Sequence, residues 1–327
     1  MRVVLPCLQF TSLASFVGVS LIAALIFGAR PADGDPPDPT LAAREPNTKL
    51  FTYPQRRLIP PPGPAIEQPA RTTLPFKLYC GYLIVAHGSA GPLKNLSFLF
   101  DTGTSVPIFD SRIAQKLHLA DEGPANVVIL GGRARGADAI LPSLWFGPVR
   151  RSNLSVVITD LSFFRKILPV RIDAIVGLNV IAQKTFVIDY SAQVICFGPP
   201  PSLQVSIPLR LDRGLVTFDA EVDHTHVHLA FDTGVASLVL FDPAPSPASP
   251  AKVDAVQDPE DIGKFPSKAI QLRTVTLGNE EFRQKSAILV SNPKPSQIDF
   301  DGLMSPPALG LSRVSVDLKE GVLAFSR

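Results

Sequence analysis

The tripeptide Asp-Thr-Gly occurs twice in the chain, at residues 101–103 and 232–234, and each copy follows an apolar run. The first run covers residues 96–100 and the second covers residues 227–231. Ordinary residue frequencies place one such tripeptide in roughly one chain of this length in ten or twenty. Two copies behind matching apolar runs therefore indicate an internal duplication.

The duplication extends beyond the two tripeptides. An offset of 131 residues (232 − 101) places the apolar positions of residues 96–100 on those of residues 227–231. Downstream, the apolar-apolar-glycine segments that end at Gly177 and Gly310 are predicted to correspond. Each half then ends in a hairpin pattern, at residues 186–197 and 314–325. The chain is therefore predicted to contain two lobes of similar fold.

Short runs of alternating apolar and polar residues fill the chain from Phe76 onward, separated by Gly, Pro, Asn and Asp. This pattern is typical of β-strands joined by tight turns, so the predicted fold class is mainly β. Residues 112–119 and 178–183 favour short helices. The predicted domains are a first lobe at residues 76–198, a Pro-rich linker at 199–206 and a second lobe at 207–327.

The N-terminal part of the chain is predicted to lie outside the two lobes. An uncharged apolar stretch at residues 13–29 ends at Arg30 and predicts a signal peptide or a single membrane anchor within residues 1–30. Either would place the protein in the periplasm or outside the cell. Residues 31–75 are rich in proline and are predicted to form a disordered spacer.

Charge, cysteines and histidines exclude several classes of function. The net charge is +2 without basic runs longer than a pair, so nucleic acid is not a predicted partner. Cys80 and Cys196 are compatible either with a disulfide or with two buried thiols. His224, His226 and His228 alternate along one strand, where an exposed polar face is favoured over a zinc site. No metal or other cofactor is predicted.

The order of these segments resembles that of the aspartic proteases, in which an apolar strand enters Asp-Thr-Gly, and a glycine-tipped hairpin, an apolar-apolar-Gly segment and a closing strand pair follow. The first lobe is most similar to bacterial retropepsin-like domains, and the two-lobed arrangement is similar to pepsin-type enzymes. The resemblance implies two β-barrel-like lobes of the acid-protease fold, related by a pseudo-twofold axis, with the active-site cleft between them. It also implies an aspartic endopeptidase that acts on peptide or protein substrates, for which one chain is sufficient.

The same resemblance implies roles for individual residues. Asp101 and Asp232 would form one catalytic dyad. Gly131, Gly132 and Gly136 occupy the position of the flap, which would close over an extended peptide. The residues predicted to support the dyad are Thr102, Gly103, Ser105, Thr233 and Gly234.

Elementary electrostatics explains why two aspartates suit this reaction. Two carboxylates about 3 to 4 Å apart repel by roughly 4 kcal/mol at an effective dielectric constant near 20, so they share one proton near neutrality. The ionised member can then take a proton from water, while the protonated member hydrogen-bonds the scissile carbonyl. Neither a metal nor a covalent intermediate is needed.

The two copies differ in the residues that follow the tripeptide. Thr104 and Ser105 have hydroxyls that can hydrogen-bond an aspartate oxygen, whereas Val235 and Ala236 have none. A catalytically inactive peptide-binding protein of the same fold is therefore the alternative function, and a histidine-based metal-binding protein is a third. The flap of the second lobe would fall near residues 242–268, which are rich in Pro, Ala and Asp and are typical of an insertion.

Overall fold

A computed structural model of the chain describes residues 72–129, 132–181, 184–241, 267–290 and 299–327. The predicted signal or anchor at residues 1–30, and the predicted spacer up to residue 71, lie outside these ranges. Within the described ranges, no helix is long and apolar enough to span a membrane. The fold is mainly β with barrel-like sheets, which confirms the predicted fold class at this level.

The first half of the described chain begins with a strand at Thr72, inside the predicted spacer. Its strands are β1 (Thr72–Tyr79), β2 (Leu83–Ala90), β3 (Leu93–Phe100), β4 (Ile108–Asp110), β5 (Gly123–Ile129), β6 (Gly132–Phe146), β7 (Val149–Thr159), β8 (Ala174–Val176), β9 (Phe186–Asp189) and β10 (Val194–Phe197). Its helices are α1 (Ser111–Leu117), a 3₁₀ helix (Ser162–Lys166) and α2 (Leu178–Ile181), of which α1 and α2 fall in the two segments predicted to be helical.

The second half begins at Val205, inside the predicted linker. Its strands are β11 (Val205–Pro208), β12 (Arg210–Asp212), β13 (Leu215–Val222), β14 (Thr225–Phe231), β15 (Leu238–Phe241), β16 (Ser267–Leu277), β17 (Glu280–Val290), β18 (Gly302–Met304), β19 (Arg313–Asp317) and β20 (Val322–Ser326). The helix α3 (Pro306–Leu309) lies between β18 and β19.

The first four residues of β2, and the first four of β13, are buried on both faces of the strand. Each has four consecutive buried residues followed by an alternating pattern. In β2, Leu83 and Val85 join one apolar cluster, while Ile84 and Ala86 join the main core on the opposite face. Since successive side chains of a strand point to opposite faces, an unbroken apolar run is what a strand buried on both faces requires.

The same series of strand pairings occurs in both halves. In the first half, β2 pairs with β3, β3 with β8, β8 with β4 and β4 with β7. In the second half, β13 pairs with β14, β14 with β18, β18 with β15 and β15 with β17. In both series the pairs β3–β8 and β14–β18 are parallel. A parallel neighbour therefore accompanies each strand to the residue before its aspartate.

An antiparallel ladder joins the two halves. β9 pairs with β19, so one sheet continues from β11, β20 and β19 into β9, β10 and β1. The ladder is reinforced by an ion pair between Arg313 and Asp189. Burial opposes ionisation of Asp189, but hydrogen bonds from Ser191 and Ala192, and then Arg313, hold its pKa below the ordinary value. The closing hairpins predicted near residues 186–197 and 314–325 thus provide the connection between the halves.

A disulfide between Cys80 and Cys196 is excluded by the register of β1. Cys196 pairs with Thr73 near the start of that strand, whereas Cys80 follows its last residue. Seven residues (80 − 73) of extended chain span about 23 Å, and a disulfide requires Cα atoms within about 7 Å. The two cysteines are not bonded to each other.

The segment predicted as the flap belongs to a hairpin of β5 and β6. β6 begins at Gly132, which pairs with Ile129, and Gly136 pairs with Ala125 within the ladder. Gly131 lies outside the described residues. A Cβ at Gly136 would lie 2.7 Å from the Ile158 carbonyl oxygen of β7, so close strand packing accounts for this glycine. Residues 242–266 of the second-half insertion are also outside the described ranges.

Candidate active site

The two aspartates occupy equivalent places at the ends of parallel strand pairs. The Asp101 N–H donates to the Val176 carbonyl oxygen at 3.0 Å, and the Asp232 N–H donates to the Met304 carbonyl oxygen at the same distance. Each bond continues the parallel ladder one residue past the strand, so it fixes the backbone from which the carboxyl group projects. Both aspartates are completely buried.

The threonines of the two tripeptides bind each other reciprocally. The Thr102 N–H donates to Thr233 Oγ1 at 3.1 Å, and the Thr233 N–H donates to Thr102 Oγ1 at 3.0 Å. Each hydroxyl also donates across to the opposite strand end, Thr102 to the Phe231 carbonyl at 2.9 Å and Thr233 to the Phe100 carbonyl at 3.1 Å. Four buried hydrogen bonds therefore hold the two loops together.

Replacing either threonine with valine is expected to lower the free energy of unfolding by about 2 to 4 kcal/mol, because buried backbone groups on the opposite loop lose their partners. In Thr102→Val, these groups are the Thr233 N–H and the Phe231 carbonyl. Denaturant unfolding of Thr102→Val, Thr233→Val and the double variant measures the effect. The double variant should lose less than the sum of the two single losses, because the four bonds form one network.

Thr217 provides a matched control for these substitutions. It is fully buried in β13, and its hydroxyl has no hydrogen-bond partner among the described residues. Thr217→Val should therefore be neutral or stabilising, since it removes a buried polar group without breaking a bond. Equal losses at Thr217 and Thr102 would mean that valine is poorly tolerated for reasons other than the loop contacts.

The glycines of the tripeptides lie against the carboxyl groups. A Cβ at Gly103 would be 2.5 Å from Asp232 Oδ2, and a Cβ at Gly234 would be 2.7 Å from Asp101 Oδ2. Each glycine N–H also donates to the aspartate of its own loop, at 2.9 Å for Asp101 Oδ1 and 2.7 Å for Asp232 Oδ1. Only a residue without a side chain allows the two loops to approach this closely.

The two carboxyl groups have raised and unequal pKa values. Burial raises the pKa of Asp101 from its ordinary value of 3.8 to about 6, although bonds from the Gly103 N–H, Asp232 and Thr104 partly offset this rise. Burial, and next the negative charge of Asp101, raise the pKa of Asp232 well above 3.8. Since the charge of Asp101 raises the pKa of Asp232 and the bond from Asp232 lowers the pKa of Asp101, Asp101 is the carboxyl group that ionises first.

The raised pKa of Asp101 predicts a pH-dependent stability difference. The folded protein binds this proton more tightly than the unfolded chain, so the carboxyl group costs stability increasingly as the pH rises from 3.8 to about 6. Asp101→Asn should therefore be more stable than the wild type at pH 7.5, by about 3 kcal/mol for a shift of this size. The difference should vanish below pH 4. Thermal melts at both pH values test this, and an equal difference at the two would contradict it.

The second aspartate lacks one hydrogen bond that the first has. Thr104 Oγ1 donates to Asp101 Oδ2 at 3.1 Å, and Val235 stands at the corresponding place in the second loop. Within the described residues, Asp232 Oδ2 has no hydrogen-bond partner. Thr104 thus supplies a hydroxyl to Asp101. Ser105, the other hydroxyl residue of the first loop, lies near the turn at Gly214, where a Cβ would be 3.3 Å from the Ser105 Cβ.

Gly177 lies against the first loop, as the sequence predicts. A Cβ at this residue would be 1.9 Å from the Thr104 carbonyl oxygen, so no side chain fits. The matching of Gly177 with Gly310 was wrong, because the second parallel strand is β18 and the residue that follows it is Ser305. Gly310 instead ends α3 with a φ of 77°, a conformation that favours glycine.

Sequence reasoning did not single out Tyr190, which follows β9. Its hydroxyl is buried without a partner among the described residues, and burial, followed by the charge of Asp232, raises its pKa. Two of the three alternating histidines contact acidic side chains outside the tripeptides: His228 Nδ1 lies 2.8 Å from Asp219 Oδ1, and His224 Nδ1 lies 3.3 Å from Glu221 Oε1. Over the described ranges, no group of three or more His, Cys, Asp or Glu residues is arranged to bind a metal ion.

The two loops, each of which contributes a buried aspartate that faces the glycine of the other, resemble the site of an aspartic protease. Comparison with protein families agrees: residues 88–180 match the family described as Aspartyl protease, of the retropepsin-like clan. This segment contains Asp101, the predicted flap and Gly177, and it confirms the resemblance for the first half. No curated protein matches the chain significantly.

Proposed function

We propose that this protein is an aspartic endopeptidase in which Asp101 and Asp232 form one catalytic dyad. The observation that carries the proposal is the pair of completely buried carboxyl groups, each lying against the glycine of the opposite loop. Burial raises the pKa of both groups. Protease chemistry at the coarser level is supported by the aspartyl protease family match over residues 88–180. Both aspartates come from one chain, so a dimer is not needed to assemble the site.

The proposed architecture is two similar lobes related by a pseudo-twofold axis, with the cleft between them. The recurrence of the strand pairings and the reciprocal bonds of Thr102 and Thr233 support this arrangement. The hairpin of β5 and β6 is then the flap, with Gly131, Gly132 and Gly136 near the substrate. Its backbone N–H and carbonyl groups would bind an extended peptide as an added strand.

The unequal pKa values suggest which aspartate has which role. Ionised Asp101 takes a proton from the attacking water, while protonated Asp232 donates a hydrogen bond and then its proton to the carbonyl oxygen. The product of this step is a tetrahedral diol. Asp101 then gives its proton to the amide nitrogen as the C–N bond breaks, and Asp232 recovers a proton from a diol hydroxyl. Both aspartates end in their starting states.

Export is part of the proposal, supported by the apolar segment at residues 13–29. The Pro-rich residues that follow would then separate the protease from a membrane anchor, or from the site of signal cleavage. A periplasmic or extracellular protease meets folded and partly unfolded proteins as substrates. Unfolded segments are the better candidates, because an extended chain is what a cleft with a flap binds.

A non-catalytic peptide-binding protein of the same fold is the second candidate. The observation that favours it is the unpartnered Asp232 Oδ2, because a poorly supported carboxyl group is what a site under no catalytic selection would retain. Such a protein would bind extended peptides in the same cleft without cutting them.

Peptide cleavage distinguishes the two candidates. The purified protein is incubated with a diverse peptide library from pH 4 to pH 9, and products are identified by mass spectrometry. An endopeptidase is expected to cut a subset of internal bonds, to be blocked by a statine-type inhibitor and to be unaffected by a chelator. Peptide binding without cleavage at any pH would favour the second candidate instead.

A further inference from the structure

Ser305 lies beside Asp232 at the end of a parallel strand pair. Phe231 pairs with Met304, and the Asp232 N–H donates to the Met304 carbonyl oxygen at 3.0 Å. The residue after Met304 is Ser305, which is completely buried. Ser305 therefore has the same place relative to Asp232 that Gly177 has relative to Asp101.

The two loops differ in which residues could offer a hydroxyl to the aspartate. In the first loop Thr104 Oγ1 donates to Asp101 Oδ2, and a Cβ at Gly177 would lie 1.9 Å from the Thr104 carbonyl oxygen, so that place has no side chain. In the second loop Val235, which has no hydroxyl, follows the tripeptide, and the place of Gly177 is taken by Ser305, a completely buried residue with a hydroxyl.

The Ser305 hydroxyl is not used by the helix that it precedes. Serine before a helix usually accepts a hydrogen bond from an N–H in the first turn. Here the first two helical residues are Pro306 and Pro307, which have no N–H, and the Ala308 N–H donates to the Ser305 backbone oxygen at 3.1 Å. The side chain makes no capping bond, and Oγ has no partner among the described residues.

Two buried oxygens, Ser305 Oγ and Asp232 Oδ2, thus lie at adjacent places without partners in the described structure. Buried polar groups are nearly always paired, and a serine hydroxyl turns by rotation about one bond. We propose that Ser305 Oγ donates a hydrogen bond to Asp232 Oδ2 when that carboxyl group ionises, so that Ser305 positions Asp232 as Thr104 positions Asp101. The inference deepens the proposed function and rests on it, because it assigns a task to Ser305 only if Asp232 changes its charge during the reaction.

The proposal is tested by titrating Asp232 in protein labelled with ¹³C at the aspartate carboxyl carbons. The titratable groups that face Asp232 are Asp101 and Tyr190, and both stay in place when Ser305 is changed. Ser305→Ala should raise the pKa of Asp232 by about one unit, because a donor to the ionised form is lost. Adding Val235→Thr to Ser305→Ala should reverse the rise, since it supplies the hydroxyl from the place that Thr104 uses in the first loop.

Ser315→Ala is the matched control, because it removes another buried serine hydroxyl, from β19, and should leave the titration of Asp232 unchanged. An unchanged Asp232 pKa in both Ser305→Ala and Ser305→Gly, with the fold intact, overturns the proposal. Peptide cleavage is measured on the same samples. If the pKa shifts but no form of the protein cleaves peptides, the contact is established and the proteolytic function is what fails.

Discussion

Asp101→Asn and Asp232→Asn are each expected to reduce peptide cleavage by roughly a thousandfold or more, and the double variant should be little worse than either. Asparagine keeps the shape of the side chain but neither accepts a proton from water nor donates one to the amide nitrogen. The mechanism needs one ionised and one protonated carboxyl group, so the loss of either stops the same step. The measurement is kcat/KM for a peptide cut by the wild type.

The control must show that the aspartate variants are folded and that loss of an arbitrary carboxylate is harmless. Asp317→Asn serves the second purpose, because Asp317 is far along the chain in β19 and its Oδ1 accepts turn N–H groups from Lys319 and Glu320, which an amide oxygen can also accept. It should retain full activity. Asp101→Asn should melt above the wild type at pH 7.5, as expected from its raised pKa. Activity within tenfold of the wild type in either dyad variant would contradict the proposed mechanism.

Gly177→Ala is expected to lower the free energy of unfolding by about 3 kcal/mol or more. The added Cβ would lie 1.9 Å from the Thr104 carbonyl oxygen, which is backbone and cannot rotate away. That carbonyl also accepts the Leu178 N–H at 3.3 Å, so displacement breaks a bond at the start of α2. Because Thr104 holds Asp101 Oδ2, cleavage should fall even where the variant remains folded.

Gly310→Ala separates this steric clash from the general effect of losing a glycine. Gly310 has a φ of 77°, but the nearest atom to a built Cβ is Lys285 Nζ at 4.0 Å, the end of a flexible side chain. Backbone strain alone should cost about 1 kcal/mol, with activity unchanged. Urea unfolding and kcat/KM for both variants provide the comparison. If Gly177→Ala is no more destabilised than Gly310→Ala, the first loop does not need the close approach described here.

The tripeptide loops were predictable from the sequence because several independent patterns agree there. The apolar runs before Asp101 and Asp232 match residue for residue at the offset of 131, and both runs are strands with a parallel neighbour. The threonine contacts follow from the family resemblance, since nothing in a linear sequence indicates a bond between residues 131 positions apart. The contrast between Thr104 and Val235 was also visible, and the structure gives the consequence for each carboxyl group.

The match of Gly177 with Gly310 was wrong because it was based on the glycines and not on the parallel strands that precede them. Gly177 directly follows β8, whereas Ser305 directly follows β18. The second loop therefore accommodates a side chain at this place. The glycine that comes later, Gly310, ends α3. The sequence contains a pattern that identifies the corresponding residues correctly. Asp173 stands four residues before Gly177, and Asp301 stands four residues before Ser305.

These two aspartates have the same role in the structure. Asp173 Oδ2 accepts the Ser97 N–H at 2.9 Å, and Asp301 Oδ2 accepts the His228 N–H at 2.9 Å. Ser97 and His228 are separated by the same 131 residues as the tripeptides (228 − 97). Each of these carboxylates thus binds the neighbouring strand at the beginning of a parallel pair, Asp173 at β3–β8 and Asp301 at β14–β18. Alignment on acidic residues would have placed Ser305 correctly.

The sequence did not predict that the two halves are joined through β9 and β19. A β-ladder between β9 and β19 depends on backbone groups, which every residue has, so the sequence shows only two closing hairpins. The sequence also could not decide whether Cys80 and Cys196 form a disulfide, because the distance between them depends on the register of β1 with β10. Interactions between distant backbone segments leave little trace in residue type.

The central claim, that Asp101 and Asp232 act as one acid–base pair, is tested most directly by following the ¹³C carboxyl signals of both residues as a function of pH in the wild-type protein. Asp101 is expected to titrate near pH 6, and Asp232, whose pKa is raised by burial and by the charge of Asp101, is expected to keep its proton while Asp101 ionises. The Asp232 signal is also expected to respond to the ionisation of Asp101, because the groups are in contact. Two independent titrations near the ordinary value of 3.8 would contradict the account.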